Sequence, residues 1–165
     1  MTLSSHLATP SHPFPGKPVG IGGWLLFLVI ALTFIGPMFG VAATRVAIAG
    51  AEQATPDLVG NPAWSAITLT QYAGVAIASA LGLAAGLLLV FRKKRGTPQR
   101  VMGLMVLVVV VPPVFEYVVY HHINPAFAGA MADPLIIQMA RGAVSLLIWC
   151  SYLGVSKRVQ NTYVE

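Results

Sequence analysis

The sequence predicts an all-α membrane protein that crosses the bilayer with four helices and keeps both termini in the cytoplasm. Of its 165 residues, 56% are hydrophobic and only 9% are charged, whereas about a quarter of a soluble domain is charged. The hydrophobic residues form runs long enough to cross roughly 30 Å of hydrocarbon, which takes about 20 helical residues. Lysine and arginine concentrate in two short segments, and this asymmetry predicts the orientation.

The first predicted span covers residues 19–43 and carries no charge. The proline-rich residues 1–18 before it predict a flexible cytoplasmic tail. Gly36 and Pro37 predict a kink, and Arg45 ends the span. A signal peptide is the competing interpretation, because small residues at the end of the run resemble a cleavage site. The run is longer than a typical signal core and no basic cluster precedes it, so a retained span is favoured.

The second predicted span covers residues 66–91, after a polar segment, residues 50–62, that reads as an exposed loop. Small residues recur at every fourth position along this span. We call them the small-residue ladder: Ala66, Thr70, Gly74, Ala78, Gly82 and Gly86. Small side chains let a second helix approach closely, so the ladder predicts a helix-packing face.

The third and fourth predicted spans cover residues 101–120 and 134–155. Pro112 and Pro113 predict a bend in the third span. Residues 121–133 between the two spans contain neither lysine nor arginine and read as a loop, and residues 156–165 form a second cytoplasmic tail. Together the four spans form the predicted transmembrane domain, residues 19–155.

The basic residues predict both the orientation and the lipid partner. They flank the hydrophobic runs, as expected of cytoplasmic anchors to anionic head groups: Arg92, Lys93, Lys94, Arg95, Arg100, Lys157 and Arg158. Placing these residues in the cytoplasm returns the C-terminus to the side of the N-terminus after four crossings. Because the positive charge lies beside hydrophobic runs, a membrane is the expected partner rather than nucleic acid.

Four polar residues within or beside the spans require an explanation, because charge inside a membrane is costly. Arg45, Gln71, Glu116 and Arg141 are all predicted to lie in the outer half of the bilayer. One hypothesis is a ligand site with two guanidinium groups and one carboxylate, suited to a small anionic or lipidic molecule. The alternative is structural: Glu116 and Arg141 neutralise each other, and Arg45 reaches the interface.

The remaining reactive side chains predict no catalytic site and no cofactor. His121 and His122 are adjacent, so they point to different helix faces, and an interfacial role is favoured over metal binding. Cys150 is the single cysteine and allows no intrachain disulfide. We find no nucleophile with a base and no phosphate-binding glycine loop, so we expect no enzyme.

The two ends of the hydrophobic region carry distinctive sequences: residues 20–26 read Gly-Ile-Gly-Gly-Trp-Leu-Leu, and residues 148–163 end in Ser-Lys-Arg-Val-Gln-Asn-Thr-Tyr. These two ends resemble the DUF2569 family of bacterial inner-membrane proteins, whose function is unassigned. The family's Trp-x-Pro-Tyr is not matched, because Ser151 stands where the proline would be. The resemblance implies four helices, an inner-membrane location and a role for Lys157, Arg158 and Thr162 beyond that of a generic basic tail.

Three function hypotheses follow. The first is a non-enzymatic accessory subunit that associates with another membrane protein or with itself, because the small-residue ladder offers more packing surface than a four-helix unit needs. The second is a binder or carrier of a small anionic or lipidic ligand at the polar layer. Catalysis on a lipid or quinone ranks last, since only unpaired polar groups favour it.

Overall fold

The computed structural model describes residues 20–163, which form four long helices, one short α-helix and a 3₁₀ turn at Pro56–Leu58. Each long helix is long and apolar enough to cross a membrane. In these described residues the chain forms helices and connections and no strand, which confirms the all-α prediction. The helices are α1 (Trp24–Ala54), α2 (Pro62–Phe91), α3 (Thr97–Ile123), α4 (Pro125–Val155) and α5 (Lys157–Thr162).

Short connections make consecutive helices antiparallel neighbours, so α1 packs on α2, α2 on α3, and α3 on α4. We call the end with the α2–α3 connection and α5 the basic end. The end with the α1–α2 and α3–α4 connections is the acidic end, where Glu52 and Asp57 lie. At the basic end, Trp149 of α4 contacts Trp24 and Phe27 of α1, with ring centroids 6.3 and 5.9 Å apart. These aromatic contacts join the first and last long helices.

Helix α1 contains one wide turn, a π-helical segment at Ala31–Ile35. Pro37 has no N–H, and its ring would clash with the carbonyl oxygen four residues earlier. The chain widens instead, and the N–H of Gly36 donates to the oxygen of Ala31, five residues back. The kink predicted at Gly36 and Pro37 therefore takes the form of a π-bulge.

Helix α1 is longer than the predicted first span, because it continues past residue 43 to Ala54. Arg45 consequently lies inside the helix, two residues beyond the predicted span and not at the end of the helix. Alanine-rich sequence favours the helix through residue 54, where Pro56 stops it. The Trp64 indole N–H donates to Glu52 Oε1 at 3.0 Å and joins this extension to α2.

Helix α4 begins at Pro125, so most of the predicted loop at residues 121–133 is helical. The physical reason is a strong helix start: Asn124 Oδ1 accepts from the N–H groups of Ala126 and Phe127 at 3.0 and 3.2 Å. Proline at the first helical position and the alanines that follow also favour the helix. The helix runs through Pro134, where the fourth span was predicted to begin.

The two sequences that resemble the family meet at the basic end. The Gly20 N–H donates to Thr162 Oγ1 at 3.0 Å, and the Tyr163 hydroxyl donates to the carbonyl oxygen of Leu89 at 2.7 Å. The Arg158 guanidinium lies against Gly22, where a Cβ would stand 2.8 Å from its Nη1. Burial, and to a smaller extent Tyr152, raises the pKa of Tyr163 to about 12. Helix α5 thus ties the start of α1 to the end of α2.

Two separate clusters of buried side chains fill the bundle. The larger lies towards the basic end and includes Leu25, Leu28, Leu89, Val101 and Leu153. The smaller lies towards the acidic end and comprises Trp64, Ile67, Tyr120, Ala128 and Leu135. Between the two clusters, the widened turn of α1 leaves an incompletely filled region.

Candidate functional site

A cleft of about 230 Å³ lies between the two clusters, with walls contributed by all four long helices. The widened turn of α1 provides Ala31, Leu32 and Gly36. The other walls carry few polar side chains, namely Ser79, Glu116 and Gln138. The Ser79 hydroxyl donates to the carbonyl oxygen of Val75 at 2.7 Å, so Glu116 and Gln138 are the polar groups free to meet a ligand.

Glu116 is the ionisable residue of the cleft, and its side chain is only 8% exposed. Gly74 of α2 lies directly against its carboxyl group, so any larger residue at that position would collide with it. Within residues 20–163 no lysine, arginine or histidine lies within 4.0 Å of this carboxylate. A buried carboxylate without a partner is unfavourable. The site therefore suits a ligand group that donates hydrogen bonds or carries positive charge.

A second, apolar part of the cleft extends towards the basic end, with a volume of about 280 Å³. It shares Ala31, Leu32 and Val108 with the part that holds Glu116. Its further lining comes from Leu28 of α1 and from α3 and α4, and it includes Met105 and Trp149. A polar half joined to an apolar half matches the two ends of an amphiphilic molecule.

The structure does not bring the predicted polar layer together as one site. Arg45 and Arg141 are exposed, whereas Glu116 is buried in the cleft. Gly142 faces α3, where a Cβ would stand 2.9 Å from Val109, and Arg141 is rotated from it by about 100° around the helix. Glu116 and Arg141 form no ion pair within 4.0 Å in the described residues, and the ligand site with two guanidinium groups stays a prediction.

Gln71 lies in a different cavity, of about 410 Å³, at the acidic end. Two asparagines, Asn61 and Asn124, line the same space, and we call it the asparagine cavity. Each asparagine caps its helix through Oδ1, which leaves its amide N–H groups free to donate. Trp64 and Phe127 supply apolar walls.

The small-residue ladder of α2 packs inside the chain. Gly82 lies against α1, where a Cβ would stand 2.9 Å from the carbonyl oxygen of Leu32, and Gly86 lies against Thr33. Gly74 faces α3 through Glu116. Thr70 is buried as well. Because Gly74, Gly82 and Gly86 lie against α1 and α3, this packing face is used within the chain, and a partner at this face stays a prediction.

The predicted head-group anchors all lie at the basic end. Six of them are exposed: Arg92, Lys93, Lys94, Arg95, Arg100 and Lys157. Arg158 is half-buried, because it lies against the glycines before α1. At the acidic end, His121 stacks on Tyr117 with ring centroids 6.3 Å apart. In the described part of the chain no three His, Cys, Asp or Glu side chains are grouped so as to hold a metal ion.

Sequence reasoning missed several residues of these cavities. Asn61 and Asn124 open two copies of the sequence Asn-Pro-Ala-aromatic, at residues 61–64 and 124–127, and that repeat could have identified them. Gln138 could have been found as an uncharged polar residue in the fourth span. Tyr120 had no such signal, because tyrosine is common at the ends of membrane helices.

Comparison with known proteins agrees with the resemblance at the two ends of the chain. Residues 18–164 match the family described as "Protein of unknown function (DUF2569)". No curated protein and no solved structure matches the chain. The match includes all four long helices, both parts of the cleft and the contacts of α5. The chain therefore belongs to the DUF2569 family of proteins of unknown function.

Proposed function

We propose that this multi-pass membrane protein is not an enzyme and that it binds an amphiphilic, lipid-class molecule in the cleft that all four long helices line. The single observation that carries the proposal is the Glu116 carboxyl group, which is 8% exposed, faces the cleft and has no cationic partner among residues 20–163. The polar head would contact Glu116 and Gln138. The apolar chain would lie along Met105 and Trp149.

The chemistry of the cleft favours a head that donates hydrogen bonds, such as an amine or a hydroxyl group. A carboxylate repels an anionic head, and Arg45 and Arg141 are exposed outside the cleft. The sequence predicted a ligand that is anionic or lipidic. This proposal keeps the lipidic ligand and replaces the anionic head by one that donates hydrogen bonds. Location in a bacterial inner membrane, with the basic end in the cytoplasm beside anionic lipids, belongs to the same proposal.

The test uses photoactivatable amphiphiles that share one alkyl chain and differ in the head: an amine, an alcohol and a sulfonate. In reconstituted vesicles, crosslinking to peptides that line the cleft should be strongest for the amine and weakest for the sulfonate. Glu116→Gln should remove the preference for the amine. Asp133→Asn is the matched control, because Asp133 is an exposed carboxylate on α4. Equal labelling by all three heads, or an unchanged preference in Glu116→Gln, would refute the proposal.

A second candidate function, an accessory role beside another membrane protein, has one observation in its favour. Arg141 lies near the middle of α4 among the exposed apolar side chains of Ile137, Val144 and Ile148. An arginine there costs about 2.5–3.5 kcal/mol in hydrocarbon. A carboxylate on a neighbouring transmembrane helix would offset that cost.

This candidate is tested by a photocrosslinker placed at Val144 in native membranes. We expect one discrete protein adduct that survives Arg141→Lys and disappears in Arg141→Leu. A crosslinker at Leu69, which is 71% exposed on α2, is the control for random collisions. Adducts that are the same at both positions, or that do not depend on Arg141, would rule out a specific partner at this face.

A further inference from the structure

A thin polar layer separates the cleft from the asparagine cavity. Gln71 of α2 lines the asparagine cavity, and Glu116 of α3 lines the cleft. Tyr120 lies one helical turn after Glu116 and close to Gln71. Its ring also packs against Phe127, a wall of the asparagine cavity, with centroids 5.2 Å apart. Gln71 and Tyr120 therefore lie between the two spaces, with polar groups near both.

Two atoms of this layer are buried, the Gln71 Oε1 and the Tyr120 hydroxyl; the two side chains lie close together, but neither atom has a partner in good hydrogen-bond geometry. Tyr120 is fully buried. Leaving such a group unsatisfied costs about 1–3 kcal/mol. Ordered water is the usual partner of buried polar groups that the protein itself does not satisfy. The amide N–H groups of Asn61 and Asn124 would hold further water on the side of the acidic end.

We infer that Glu116 exchanges protons with the aqueous phase at the acidic end, through water held between Gln71 and Tyr120. In this exchange a hydronium ion in the asparagine cavity gives up one proton and becomes water. The proton passes along the water and the Tyr120 hydroxyl, which accepts one proton and releases another. The Glu116 carboxylate accepts it and becomes a neutral carboxylic acid.

The surroundings of Glu116 make the exchange one-sided. Around Glu116 the cleft brings Gly74 from α2, Gln138 from α4 and Gly40 from α1, and Tyr120 of α3 lies near it with Gln71 beside that tyrosine. None of these except Tyr120 titrates, and no cation within residues 20–163 lies within 4.0 Å. Towards the basic end the cleft continues into its second part, which is lined mainly by apolar side chains such as Met105 and Trp149, and these cannot pass a proton along hydrogen bonds. Protons therefore reach Glu116 from the acidic end alone.

The experiment measures labelling of Glu116 by dicyclohexylcarbodiimide, an apolar reagent that attacks protonated carboxyl groups. Proteoliposomes are sorted by a C-terminal affinity tag, since the last described residue, Tyr163, lies at the basic end, and the pH is set separately on each side. Labelling is quantified by mass spectrometry of the peptide that contains Glu116, and Glu116→Gln shows that the signal is specific. We expect labelling to fall as the pH rises at the acidic end and to be independent of the pH at the basic end.

Two variants then test the layer itself. After a pH jump at the acidic end, the labelling of Glu116 should change several-fold more slowly in Tyr120→Phe and in Gln71→Leu than in the unmodified protein. Tyr117→Phe, on the exposed side of the same helix, should behave like the unmodified protein. Labelling that follows the pH at the basic end, or that follows both sides equally, overturns the inference, and this measurement requires no variant. Unchanged rates in both Tyr120→Phe and Gln71→Leu also overturn the assigned path. Because no amphiphile is present, a failure here is distinct from a failure of the ligand proposal.

Discussion

At the residue scale, individual glycines determine how closely the helices approach one another. A Cβ on Gly82 would stand 2.9 Å from the carbonyl oxygen of Leu32, which is a backbone atom and cannot rotate away. Gly103, on α3, has open space where a Cβ would stand. Replacing each of these two glycines by alanine therefore distinguishes the effect of helix packing on stability from the effect of helix propensity.

We predict that Gly82→Ala lowers the free energy of unfolding by about 1–3 kcal/mol, because α1 and α2 must move apart. Gly103→Ala should raise it by about 0.5–1 kcal/mol, because alanine favours the helix and meets no neighbour. Denaturation of both variants in mixed detergent micelles gives the two values. Equal shifts in the same direction would show that the close contact with Leu32 has no energetic weight.

Depth along a helix could be predicted from the sequence, whereas direction around it could not. Glu116 was correctly singled out as an embedded carboxylate. Its expected partner, Arg141, is exposed, because each residue of a helix is turned by about 100° from the last and depth does not specify that angle. The four-residue spacing that includes Gly74 predicted close packing, but spacing alone does not say which helix does the packing.

At the element scale, Pro37 shapes the cleft. The proline removes one hydrogen bond from α1, and the resulting wide turn at Ala31–Ile35 supplies Ala31 and Leu32 to both parts of the cleft. A kink at Pro37 could be predicted, because proline lacks an N–H group and its ring clashes with the preceding turn of any α-helix. The full lengths of α1 and α4 could not, since hydropathy marks the hydrocarbon layer and not the ends of helices that extend beyond it.

We predict that Pro37→Ala restores regular α-helical hydrogen bonding in α1 and narrows the cleft. Crosslinking by the long-chain amine should fall several-fold, while the helix content measured by circular dichroism stays the same. Pro134→Ala is the control, because Pro134 is also inside a helix but does not line the cleft. Retention of full crosslinking in Pro37→Ala would show that ligand binding does not require the wide turn.

At the scale of the whole molecule, the charges differ between the two ends. Arg92, Lys93, Lys94, Arg95 and Arg100 lie at the basic end, together with Lys157 and Arg158. Four helices in antiparallel order place the described ends of the chain, residues 20 and 163, at that same end. Four long apolar helices could be predicted from the sequence, because four separate hydrophobic runs are each long enough to cross the bilayer as a helix.

We predict that the basic end faces the cytoplasm. A fluorescent protein that matures only in the cytoplasm should be bright when fused to the C-terminus. A cysteine at Gly129, an exposed position at the acidic end, should react with a membrane-impermeant maleimide added to intact cells. The native Cys150 is replaced by serine in this experiment. Replacing the five basic residues between α2 and α3 by glutamine should give mixed orientations, and a uniform orientation after that change would contradict the positive-inside assignment.

The contacts of Thr162 and Tyr163 have a consequence for how the protein is made. A ribosome makes residue 20 long before residues 162 and 163, so the start of α1 exists before the residues that hold it. The hydrogen bonds from Gly20 to Thr162 and from Tyr163 to Leu89 can form only once residues 162 and 163 have left the ribosome. Until then the start of α1 and the end of α2 lack these two bonds, which makes their formation a late step in folding.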